Sequence, residues 1–146
     1  MSKKLDKIGI FGAYDIRGKY PEEIDGRIIG EIIPVILKVL KIKKSGAKIV
    51  VGHDARLSSP SLYEAVLNSL KIVNCKLKIV AVGMITTPMI YFLVNELAAD
   101  GGIVVTASHN PKEYNGIKVV NASGLPVSGK DIYAQLWTIQ IFTLSF

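Results

Sequence analysis

The chain is poor in the residues that build metal and disulfide sites. It has one cysteine and two histidines among 146 residues. A single cysteine excludes an intrachain disulfide and points to a reducing, cytoplasmic setting. Cys75, between Asn74 and Lys76, has no metal-like spacing around it and reads as structural. The sparse His and Cys also argue against a zinc centre. Arginine is scarce, with three against 15 lysines. No patch combines basic groups with aromatics, which argues against nucleic acid as a partner. No apolar run suits a membrane span; the most apolar stretch, Ile28–Leu40, is interrupted by Gly30, Glu31, Pro34 and Lys38. The N-terminus lacks the apolar core of a signal peptide. A Walker loop, a dinucleotide fingerprint and a G-x-S-x-G elbow are all missing.

What is present suits one packed domain. Hydrophobic residues make up 49% of the chain, enough for a core. The formal net charge of +6 fits either an anionic partner such as a phosphate or a lysine-rich solvated surface. The lysines fall in small groups, Lys3–Lys4–Lys7, Lys41–Lys43–Lys44–Lys48 and Lys71–Lys76–Lys78.

Short apolar runs predict strands at Lys7–Gly12, Lys48–Gly52, Leu77–Gly83, Gly102–Thr106 and Ile117–Val120. Between them, Ile24–Ile42 carries an apolar stripe of helical spacing, with Pro34 predicting a kink or break. Ser58–Ser59–Pro60 and Thr86–Thr87–Pro88 each predict a helix start, a capping hydroxyl followed by proline at the first helical position. Ser61 and Glu64 offer an alternative capping box. Strands alternating with helices predict an α/β fold, a three-layer αβα sandwich with a mixed, mostly parallel sheet. The gap from Thr106 to Ile117 has no room for a helix, so the last two strands should form an antiparallel hairpin. The expected domain spans 1–131. Residues 132–146, IYAQLWTIQIFTLSF, form an apolar tail that must be buried, paired with another chain or aggregation-prone.

In such sheets, ligands bind beyond the carboxyl ends of the parallel strands. Three polar loops are expected there. FGAYDIRGKY carries Tyr14, Asp15 and Arg17; GHDARLSS carries His53, Asp54, Arg56, Ser58 and Ser59; TASHNP carries Ser108, His109 and Asn110. Ser108 is either a turn serine before Asn-Pro or a nucleophile. His109 adjoins it in sequence, an awkward geometry for a Ser-His relay. Arg17, Arg56 and Lys118 are anion-binding candidates or plain surface charge. Asp15–Arg17 and Asp54–Arg56 are spaced to form local ion pairs.

FGAYDIRG, GHDARLSS, TASHNP and YNGIKV, in this order from about Ile8 to Val120, resemble the first domain of the α-D-phosphohexomutases, the phosphomannomutase/phosphoglucomutase family. The resemblance implies an isomerase of carbohydrate metabolism working as an intramolecular phosphotransferase. A phosphorylated Ser108 would exchange its phosphoryl group with a sugar phosphate. Lys118, leaning over Ser108, would supply charge and proton transfer, and Arg17 and His109 would belong to the catalytic set. Tyr14, Asn110 and Arg56 would contact substrate. Mg²⁺ would be the cofactor, with phosphorylated Ser108 as one ligand. The family's D-x-D-x-D metal loop is missing, and so are its sugar-reading and phosphate-clamping loops. His53 stands where the family usually has arginine. The isolated chain is therefore expected to be incomplete as an enzyme. The alternatives are a stand-alone binding or oligomerisation module acting through the apolar tail, with itself or a partner chain, or a truncated gene product without catalysis.

Overall fold

The computed structural model describes residues 9–74 and 76–144, and side chains up to residue 138. Cys75 and the lysine group at Lys3, Lys4 and Lys7 lie outside the described residues. The elements are β1 (Ile16–Lys19), α1 (Gly26–Val39), β2 (Lys48–His53), α2 (Ser59–Val73), β3 (Lys78–Met84), α3 (Thr87–Glu96), β4 (Gly101–Val105), β5 (Tyr114–Asn121) and α4 (Gly129–Leu144). The five strands form one sheet in the order β1-β5-β4-β2-β3. β2 pairs in parallel with both β3 and β4, and β5 pairs antiparallel with both β4 and β1. Four strands therefore run one way and β5 alone runs against them. The mixed, mostly parallel αβα sandwich is the fold expected.

The layers are unequal. A large core of buried aliphatic side chains lies between the sheet and α1, α2 and α4. A smaller one, built on Val50, Val104, Val120, Ile90 and Val94, lies under α3. α1 runs unbroken through Pro34, against the expected kink or break. Its apolar stripe of Ile28, Ile29, Ile32, Ile33 and Ile36 is buried throughout. Each such side chain adds roughly 1.5–3 kcal/mol, enough to outweigh the one N–H that proline removes. The Asp25 side chain caps the helix, accepting the Ile28 N–H at 2.9 Å.

Other expectations need correction. The strand expected at Lys7–Gly12 extends outside the described residues, and Gly9–Gly12 holds only one bridge, Phe11 to Ile16. Gly12 instead starts a tight turn, donating its N–H to Asp15 O at 2.8 Å. The edge strand is Ile16–Lys19, which has one strongly apolar residue and owes its form to pairing with β5. Pro60 and Pro88 are second, not first, in their helices, and neither Ser58 nor Thr86 caps through its side chain. Ser61 and Glu64 lie inside α2 and form no capping box.

The expected boundary after residue 131 falls inside α4. Ile132 and Leu136 are buried in the main core, and Tyr133 stacks on Phe11 with centroids 5.1 Å apart. Ile132 and Leu136 of the tail are thus covered by the chain's own core, while Trp137 stays 42% exposed. The side chains from Ile139 onward lie outside the described residues.

At the opposite end of the sheet from the serine turn, Asp100 ties β2 to β4. Its carboxylate accepts the Lys48 N–H at 2.8 Å and pairs with Lys44 Nζ at 2.6 Å. Partial burial would raise this carboxyl, but the Lys44 and Lys48 contacts outweigh it and hold it below the ordinary value of 3.8. A carboxyl lowered by folding stabilises the fold above its unfolded value. That contribution fades as pH falls from about 4. Asp100→Asn should therefore lower stability by roughly 1 kcal/mol at pH 7. The gap should close in acid, as melting curves of both proteins from pH 7 to pH 2 would show.

Candidate active site

The serine turn starts where β4 ends. Thr106 continues the ladder by one bond, donating its N–H to Gly116 O at 2.9 Å. The chain then folds over. Ser108 donates its N–H to Thr106 Oγ1 at 2.9 Å. Asn110 donates both its N–H, at 3.0 Å, and its Nδ2, at 2.8 Å, to Ala107 O. Asn110 thus shapes the turn. Ser108 has φ of 51°, left-handed backbone that costs a non-glycine residue about 1 kcal/mol or more. Its side chain is exposed and its hydroxyl has no polar partner among the described residues. His109 is exposed as well, also without a partner among them.

Arg56 holds this turn from the β2–α2 loop. Its Nε donates to Asp54 Oδ2 at 3.2 Å. Nη1 donates to Pro111 O at 2.7 Å and Tyr114 O at 3.0 Å. Nη2 donates to Ser108 O and Asn110 O, each at 2.7 Å. A guanidinium has five N–H groups, so every one is in use. In this arrangement Arg56 holds the loop, with no N–H left over for the expected substrate contact.

Beneath Arg56 lies a polar network not anticipated from the sequence. Asp54 accepts the Arg56 N–H at 3.0 Å and the Ser59 hydroxyl. The Asn115 amide donates to Ser58 Oγ at 2.7 Å and to Ser59 Oγ at 3.0 Å. Its Oδ1 accepts the Gly116 N–H at 2.8 Å. Asn115 and Ser59 are fully buried. This explains why the α2 start differs from expectation: the hydroxyls are engaged across the loop. Little in the sequence signalled it, because Asn115 precedes the apolar run Ile117–Val120 and joins β5 only through pairing.

Arg17 and Lys118 arrive differently from the expected loop convergence. Ile16, Ile117, Val105 and His53 lie in one row across the sheet. Ile16 and Ile117 face the main core. Alternation then turns Arg17 and Lys118 to the opposite face, the one α3 covers over its middle strands. Arg17 stands on β1 itself, opposite Gly116, and makes the expected local ion pair with Asp15 at 3.6 Å. Lys118 is half-buried, opposite Val104, and its Nζ has no partner among the described residues. Tyr14 is 67% exposed in the turn before β1, and no hydrogen bond or ring contact joins it to the serine turn among the described residues. The expected FGAYDIRGKY loop therefore precedes a strand rather than leaving a parallel strand end.

Beside the turn is an open groove of about 400 Å³, lined by Asp54, Ala55, Arg56, Ser108, Asn110 and Lys112. It can take a polar ligand of modest size against the serine hydroxyl. No helix among the described residues is long and apolar enough to cross a membrane.

Comparison with known proteins gives this arrangement a context. Residues 9–140 match the family model "Phosphoglucomutase/phosphomannomutase, alpha/beta/alpha domain I". A phosphomannomutase of Vibrio cholerae serotype O1 is 40% identical over 86% of this chain and 27% of its own length. A phosphomannomutase of Klebsiella pneumoniae is 40% identical over 86% of this chain and 76% of its own length. A crystal structure of a phosphoglucomutase/phosphomannomutase family protein from Burkholderia thailandensis superposes with a TM-score of 0.74 at 32% identity, covering 90% of this chain and 30% of that one. The chain thus spans about a quarter of the length of the Vibrio relative. Fold, motif order and match length agree: the chain belongs to the phosphoglucomutase/phosphomannomutase family, as its alpha/beta/alpha domain I.

Proposed function

We propose that Ser108 is a phosphoryl carrier and that this domain forms the serine side of a phosphohexomutase active site. The observation that carries the reading is the serine turn: an exposed hydroxyl, without a partner among the described residues, on left-handed backbone held from below by Arg56. A phosphoserine there bears about −1.5 to −2 charges and asks for cations around it. Lys118 and Arg17, on the β1–β5 side of the sheet, are the proposed counter-charges. In transfer to a sugar phosphate, the bond from phosphorus to Ser108 Oγ breaks and one to a sugar hydroxyl oxygen forms. The sugar hydroxyl loses its proton and Oγ must receive one. Lys118 is the proposed partner in that exchange. His109 and Tyr14, both exposed, are proposed to meet substrate once it lies over the turn.

Mg²⁺ is the cofactor that the family implies, and the donor set here does not form its site. A hard dication wants about six oxygens. Among the described residues no group of three or more His, Cys, Asp or Glu could hold a metal ion. The nearby Asp54 carboxylate already serves Arg56 and Ser59. These residues also offer no second phosphate clamp, so complete mutase turnover by the 146-residue chain is expected to be absent.

Intact-mass spectrometry after incubation with glucose 1,6-bisphosphate and Mg²⁺ tests the carrier role. The expected result is a gain of one phosphoryl group that Ser108→Ala abolishes. No gain, or a gain that survives the substitution, would remove Ser108 as carrier.

A further inference from the structure

We infer that Arg56, braced by Asp54, is the positioning residue that sets the left-handed backbone of Ser108 and so aims its hydroxyl; the functional half of this inference rests on the carrier reading above. Four carbonyl oxygens, from Ser108, Asn110, Pro111 and Tyr114, converge on one guanidinium. Oxygens gathered so closely repel one another unless a cation with matched donors sits among them. Remove it, and four acceptors lose their partner together. The turn then has no reason to keep its left-handed residue, a conformation that serine adopts only under constraint.

Only arginine fits the task. Its planar fork supplies five N–H groups in fixed directions, whereas lysine has three on a point charge. The fork is itself held in place. Nε and the backbone N–H of Arg56 both bond the Asp54 carboxylate, which the buried Ser59 hydroxyl also bonds. Ser59 in turn accepts from the buried Asn115 on β5. The turn is thus referenced to β2, α2 and β5 together. Two roles for this arginine make different predictions. As a direct anion ligand, it would alter how tightly the phosphate donor binds. As a positioning group, it alters where Oγ points and leaves donor affinity alone.

The test uses the full 146-residue chain and its Arg56→Met, Arg56→Lys and Asp54→Asn variants. The φ-dependent HN–Hα coupling and the ¹³C shifts of Ser108 report its backbone directly, whether or not phosphoryl transfer occurs. In Arg56→Met they should move from left-handed to averaged values, with Arg56→Lys close behind and Asp54→Asn between it and the parent. Phosphoryl uptake from glucose 1,6-bisphosphate should fall at least tenfold in Arg56→Met, with the half-saturating donor concentration within twofold of the parent. If Arg56→Met does not fold, the Asp54→Asn and Arg56→Lys spectra decide the matter. Unchanged Ser108 couplings in the folded variants would overturn the inference. So would a shift in half-saturation with uptake rate unchanged. Absence of uptake by the parent chain would instead sink the carrier reading, leaving the spectra to decide whether Arg56 sets the turn.

Discussion

Gly116→Ala should cost about 3–5 kcal/mol of stability, enough to leave a marginal domain largely unfolded. A Cβ at this position would overlap the carbonyl oxygen of Ile16 and come within 2.8 Å of the Arg17 Cα. Both obstacles are backbone, so no side-chain rotation relieves them. β1 would have to leave β5, breaking a ladder of Ile16, Arg17, Gly18 and Lys19 against Ile117, Gly116, Asn115 and Tyr114. Ile16 and Ile10, now buried, would lose cover. Urea unfolding against Gly9→Ala checks this, because a Cβ at Gly9 meets nothing within 4 Å. A loss below 1 kcal/mol would mean that β1 slides without cost.

Lys118→Met should slow phosphoryl transfer at Ser108 about 10²–10⁴-fold while leaving the fold intact, if Lys118 exchanges the proton as proposed. The methionine keeps an apolar stem of similar length, and Lys118 Nζ has no protein partner among the described residues to lose. The change therefore removes an ammonium from the face it shares with Arg17 and little else. Lys118→Arg restores the charge but not a group that exchanges its proton readily, since a guanidinium stays protonated. Partial recovery in Arg would assign Lys118 to charge, and none would assign it to proton transfer. Single-turnover uptake measured by intact mass separates these outcomes. A Met variant within threefold of the parent would take Lys118 out of the chemistry.

How much was legible in advance follows from where each signal lies. β2, β3 and β4 are continuous apolar runs, and the α2 and α3 stripes repeat at helical spacing, so local pattern sufficed. β5 was placed but cut short, because Tyr114 and Asn115 carry no apolar signal and join through pairing. β1 was missed for the same reason, its partner lying about a hundred residues away. The continuity of α1 through Pro34 is a burial effect that no local rule contains. In the site, TASHNP and GHDARLSS were recognised as loops, and Ser108, Asn110 and Arg56 do meet in one turn. What sequence could not rank was how Arg56 distributes its donors. An arginine beside a serine loop reads the same whether it faces a phosphate or four carbonyls. Arg17 and Lys118 share a face only through β1–β5 register, which emerges when the sheet is assembled.

The sheet order also fixes a sequence of events in time. Among the described strands β1 is the first made, yet it pairs only with β5. As the chain emerges from a ribosome, Ile16–Lys19 must wait until Tyr114–Asn121 has been synthesised. β5 can join β4 at once, since only the serine turn separates them. Closing the gap to β1 spans the greatest chain separation in the sheet, the kind of contact that slows folding. Arg17 therefore reaches the side of Lys118 only through that long-range pairing. A nascent chain would present the serine turn before it presents Arg17.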